Sequence, residues 1–288
     1  MAGYGFASNP SYELARHEIR DMRPLDGILA KFERADENIR DLDQEISDYF
    51  RATPTPYEVI REFQNEGRDY VVRVRSIPTP LRFAVLTGEV LHHLRTILDY
   101  LIWVLVAHAG GKPSNTHQFP ICRTVKKFED AINRGTAKGV SAGAAKLIEE
   151  AQPFKQAVAH DYVLTVLHEL DIQEKHRLPL VVAASARLGE RMTITNASRP
   201  IEICGISPPD LHQITESGAD VVRITLSAAD PVFDADVDLA FQMALEIAGR
   251  EIPLIPVTDL LAGTSTAIRE IVGRFAPELG YAVKRVDG

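Results

Sequence analysis

The chain has 288 residues, 45% of them hydrophobic and 25% charged, enough to bury one large core or two modest ones. A net charge of −8 gives no global attraction to nucleic acid or to an anionic membrane, so only a local basic groove would lead to either. Cys122 and Cys204 are the only cysteines, far apart and without a CxxC, which argues against a disulfide framework or a zinc–thiolate site. The opening MAGYGFASNPSYELARHEIR lacks a basic region followed by an apolar one, and the longest uncharged apolar run, Tyr100 to Ala107, is too short to span a bilayer. A cytoplasmic protein with no membrane partner is expected.

Residues 26 to 51 read as a long polar helix. Its apolar positions, Ile28, Phe32, Ala35, Ile39, Leu42, Ile46 and Tyr49, alternate steps of four and three and make one narrow seam. Such a seam lies on a bundle or pairs with a second copy, and its charged flanks favour a homodimer. Two β-rich runs with proline at both borders surround Asn65-Glu66-Gly67, which predicts a hairpin at about 57–77. From 81 to 108 the helical period returns, with Leu86, Val90, Leu94, Ile97, Leu101 and Val104 on one face, and Gly110-Gly111-Lys112-Pro113 stops it. Shorter helices are expected around 125–134 and 142–152. Gln152-Pro153-Phe154 marks a turn before a core helix at about 160–178, which Pro179 closes.

After Ala186 the texture changes. RMTITN, PIEICGI, DVVRITLS and VDLAFQMALEI read as strands, and Ser265 to Phe275 as a last amphipathic helix. The fold class is therefore α+β, with a helical bundle and inserted hairpin over 1–185 and a smaller β-rich region over 186–288. Three motifs fail on context. Gly139-Val140-Ser141-Ala142-Gly143 matches G-x-S-x-G, but no apolar strand precedes it, so Ser141 reads as a helix N-cap. Asp234, Asp236 and Asp238 open like a calcium loop, yet Leu239 and Leu245 stand where glycine and glutamate are needed, leaving a solvated strand edge. Gly110-Gly111-Lys112 lacks phosphate-loop spacing.

The stretch LHELDIQEKHRL, residues 167–178, is different. Val163, Leu167 and Leu170 set an apolar stripe whose continuation lands on Glu174 and Arg177, with Asp171 beside it. Charges on a packed face need partners of opposite sign. The helix at 81–108 offers them, because its polar arc carries Glu89, His92, His93, Arg95, Thr96, Asp99, Tyr100 and Trp103, with Arg95 and Asp99 an i, i+4 pair at the border of the apolar face. A network of Arg95, Asp99, Asp171, Glu174 and Arg177 is predicted, either as an ion-pair lock between helices or as a functional pocket.

Over roughly residues 80 to 180, GEVLHHLRTILDYLIWVLV, QFPIC, QPF and LHELDIQEKHRLPL resemble a group of bacterial proteins. Their helices in turn resemble HEPN domains, four-helix bundles of ribonuclease toxins, phage-defence proteins and nonenzymatic RNA-associated modules. The resemblance implies an RNA-processing or phage-defence protein with RNA as partner and no cofactor. Arg95 and Arg177 would hold phosphate, His93 or His176 would serve as acid or base, and Asp99, Tyr100, Asp171 and Glu174 would complete the site. One departure is plain. The catalytic HEPN pattern is Arg, four to six residues, then His, and counting from Arg95 this chain has Tyr100, Leu101 and Ile102 instead. Two other classes fit the residues: a metal-dependent hydrolase recruiting a divalent ion with Glu89, His93, Asp171 and His176, and a noncatalytic assembly protein using the Ile28 to Tyr49 seam.

Overall fold

The computed structural model describes residues 25–52, 54–75, 79–157, 162–176, 182–207, 212–214, 218–245 and 255–281. Six α-helices occur among them: α1 (Asp26–Arg51), α2 (Leu81–His108), α3 (Val125–Asn133), α4 (Ala142–Glu150), α5 (Val163–His176) and α6 (Val257–Arg274). The strands are β1 (Glu58–Gln64), β2 (Asp69–Arg75), β3 (Val182–Asn196), β4 (Ile203–Ile206), β5 (His212–Gln213), β6 (Ala219–Leu226) and β7 (Asp234–Leu245). They form two antiparallel sheets, ordered β1-β2-β6-β4 and β5-β3-β7. The fold is α+β.

The residues gather into two compact units that do not follow chain order. One takes the chain up to Asp36, His92–Glu169 and Thr264 onward; the other takes Glu37–Leu91 and Leu170–Gly263. Among the described residues the first unit is helical and the second holds both sheets.

In the helical unit Ile28, Phe32 and Ala35 of the α1 seam are buried, as are Leu42 and Ile46 of its continuation in the second unit. Five of the seven seam residues are therefore covered by the chain itself. Asp36, on the same helix, accepts hydrogen bonds from Ser265 (3.0 Å) and Arg269, whose guanidinium also lies 4.2 Å from the Phe32 ring centroid. In this unit helix α2 buries Leu94, Ile97, Leu98, Leu101 and Ile102, all inaccessible, and its first part buries Val90 in the second. By length and composition it could cross a membrane, but 56% of its most apolar window is buried in this fold, as in a core helix. Ser141 is the N-cap of α4, accepting from the Ala144 N–H at 3.0 Å while its hydroxyl donates to Glu278.

Helix α6 begins at Val257, eight residues before the periodicity predicts, and runs straight through Gly263. Burial explains the extension. Val257 and Leu261 continue the stripe of Ile268, Ile271 and Phe275, so packing outweighs the low helix propensity of Gly263. A Cβ at Gly263 would meet nothing within 4 Å, and its backbone is helical. Gly263→Ala should therefore raise stability by about 0.5–1 kcal/mol, read as a higher urea midpoint with an unchanged slope.

In the second unit the hairpin stands where it was predicted, turning through Asn65, Glu66 and Gly67, all at positive φ. Its company differs from expectation. The free side of β2 pairs with β6, so the hairpin completes a sheet with strands from the far end of the chain and is no mere insertion among helices. Alternation selects this arrangement, since Tyr70, Val72 and Val74 share one face and Val71 is buried on the other, which makes β2 a central strand. Of the three aspartates on β7, the edge strand of its sheet, Asp236 and Asp238 border solvent, whereas Asp234 accepts a 2.6 Å hydrogen bond from the Tyr70 hydroxyl and another from Thr195.

Burial first, and then the Asp234 hydrogen bond, pushes the Tyr70 phenol from 10 up to about 12. The same hydrogen bond, as the leading cause, lowers the Asp234 carboxyl. The phenol's contribution to stability is complete below pH 10 and is lost as pH rises through about 12; that of Asp234 is present above its unfolded value and fades on acidification. Tyr70→Phe should cost about 1–2 kcal/mol at neutral pH and shallow the fall in stability at both extremes, measurable as denaturant midpoints against pH.

Candidate functional site

The predicted Arg95–Asp99 pair forms on α2, and what it holds was not foreseen. Arg95 is only 6% exposed. Its Nη1 lies 2.9 Å from Asp99 Oδ1, an ionic contact without hydrogen-bond alignment, while Nη2 donates to the Phe119 carbonyl at 2.9 Å. Asp99 Oδ1 in turn accepts from the Phe119 N–H at 2.9 Å. Both backbone groups of one buried residue are thus met by one i, i+4 side-chain pair, as a neighbouring strand would meet them. Three residues further on the work passes to Gln152, which is fully buried: its Oε1 accepts from the Cys122 N–H (3.0 Å), and its Nε2 donates to Pro120 O (2.8 Å) and Ile148 O (2.9 Å). The irregular segment QFPIC is threaded through this cage.

The approach to the cage is fixed by His117. Its Nδ1 accepts from the Ser114 N–H at 2.8 Å, which leaves Nε2 to donate to Lys138 O at 2.9 Å and so defines the neutral tautomer. The His117 carbonyl accepts from Trp103 Nε1 at 3.2 Å. Asp99 and Trp103, one turn apart on α2, therefore pin successive parts of the loop after it.

The remaining predicted residues fall into three groups. Asp171 is buried and is not without an interaction, though its Oδ1 makes no hydrogen bond. The side chains of Glu174 and His176 and the whole of Arg177 lie outside the described residues, so their share of the network does too. His93, Tyr100 and Glu89 are on the accessible side of α2. Lys31 Nζ of α1 stands 3.5 Å from His93 Nδ1 and 5.8 Å from the Tyr100 ring centroid. Tyr100 and Trp103, three residues apart, are each 44% exposed. Among the described residues no three His, Cys, Asp or Glu side chains converge as metal ligands.

Sequence reasoning missed Gln152, Phe119 and Lys31. A glutamine directly before Pro153 at the end of an apolar helix was a usable signal, because a buried helix end needs a polar side chain to meet its orphan groups. Lys31 gave none; only tertiary folding brings it to His93. No protein-family model, curated protein or solved structure matches the chain.

Removing the cage amide tests its role. Gln152→Leu would leave the Cys122 N–H and two carbonyls buried without partners, at a cost of at least about 3 kcal/mol. Burial also raises the Cys122 thiol above its ordinary value and shields it, whereas Cys204 is exposed. Brief alkylation should thus modify only Cys204 in the unaltered chain and both cysteines in Gln152→Leu, counted by intact mass.

Proposed function

We propose that the protein is a HEPN-like RNA-associated protein of the RNA-processing or phage-defence class, cytoplasmic, that binds single-stranded RNA without cleaving it through a metal-independent centre. The carrying observation is the division of labour on α2. Arg95, the residue a HEPN nuclease would aim at phosphate, is buried and committed to Asp99 and the Phe119 carbonyl. The accessible side of the same helix instead presents Tyr100 and Trp103, with Lys31 and His93 beside the tyrosine. Exposed ring faces next to a cation suit unstacked bases and the phosphates between them. Tyr100 standing where the family pattern has its histidine fits a site that stacks bases in place of moving protons.

Trp103 is the sole tryptophan, so its emission reports this surface alone. Titration with a ten-nucleotide oligouridine at low salt should quench it. Tyr100→Ala should weaken binding by about five- to 150-fold, the range expected for one lost stacking partner. Lys31→Ala should reduce the salt dependence. Arg95→Lys, which keeps the charge and loses the two-pronged geometry, should lower the melting temperature and leave affinity within about twofold. The reading fails if RNA leaves the emission unchanged, or if the unaltered protein cleaves RNA in chelator and Arg95→Lys abolishes that cleavage with its fold intact.

A further inference from the structure

The sheet-bearing unit contains a cavity of about 520 Å³, within the range of small-molecule sites, to which the end of α1, the end of β7 and the first turn of α6 contribute. One wall is aromatic. Phe50 and Phe241 stack with centroids 5.2 Å apart and planes 20° apart, and Tyr57 closes on Phe241 at 4.1 Å. Two carboxylates, Asp43 of α1 and Asp259 of α6, also line the cavity, and neither has a hydrogen bond or ion pair among the described residues. Ring faces carry negative electrostatic potential, and so do the carboxylates, so the two features reinforce one sign. Among the described residues that line the cavity the one cation is Arg51, eight residues beyond Asp43 on the same helix, about 12 Å along its axis.

We propose that this cavity binds a small organic ammonium, a primary amine or quaternary ammonium with an apolar or aromatic body. The ammonium would lie between the aspartates and the rings, and the body would take the apolar wall. An anionic ligand would meet both carboxylates, and a neutral one would leave their potential unused. The site is separate from the α2 surface and does not depend on the RNA reading.

Calorimetry on the full chain with benzyltrimethylammonium and phenethylamine, against 2-phenylethanol as a neutral match, tests the inference. The ammonium compounds should bind with dissociation constants near or below about 1 mM, and the alcohol at least about tenfold more weakly. Asp43→Asn with Asp259→Asn should weaken ammonium binding at least about tenfold. Both aspartates are on the surface, so the melting temperature of that double variant should match the unaltered protein and separate a lost site from a lost fold. Equal binding of amine and alcohol, no binding of either ammonium at about 10 mM, or full affinity in the double asparagine variant would each overturn the proposal.

Discussion

Phe119 carries its peptide N–H and C=O into the interior of a unit whose described residues include no strand to receive them, and an unmet backbone group there costs as much as a lost hydrogen bond. The arrangement of α2 follows from that need. A guanidinium and a carboxylate one turn apart reproduce the donor–acceptor pair of a β-neighbour, and an amide from the end of α4 does the same for Pro120 and Cys122. Burial of Arg95 is tolerated only because its charge is opposed by Asp99 and its second nitrogen is hydrogen-bonded. The His117 carbonyl of the same loop orients Trp103, one member of the aromatic face of α2.

Periodicity revealed most of this scaffold. The borders of α1 and α2 match their seams, the hairpin turns at the Asn-Glu-Gly it was assigned to, and Ser141 caps α4 as its context required. What periodicity could not carry was partnership. The chemistry of β2 shows that it is buried on both faces but not that β6, about 150 residues later, supplies its second neighbour. The same limit applies to the candidate site: Arg95 and Asp99 were legible as a pair because they are local, whereas Phe119 is an unremarkable residue in an irregular segment. At Gly263 local propensity pointed the wrong way, because a buried stripe spanning Val257 to Phe275 outweighs a single poor helix former.

The charged residues sort by what surrounds them. Arg95 and Asp171 are interior, and each is engaged. The charges spread over the faces of β2 and β6, where Arg73 meets Asp220 at 2.7 Å and Arg223 meets both Asp69 and Asp220, are part-exposed ladders that align neighbouring strands and add little each. The aspartates of the 520 Å³ cavity belong to neither kind, since they serve no neighbour among the described residues.

The two units are interleaved along the chain, and this bears on how the protein is made. The helical unit needs residues up to Asp36, a middle run from His92, and α6 from Thr264; Asp36 reaches its partners only across more than two hundred residues. A ribosome adding about 5–20 residues per second takes roughly ten to forty seconds between the start of the middle run and the end of α6. Through that interval the seam of α1 has been synthesised without its partners on α6. Growing chains therefore pass through a long window in which this seam is a target for chaperones, closed only when Ser265 and Arg269 emerge to meet Asp36.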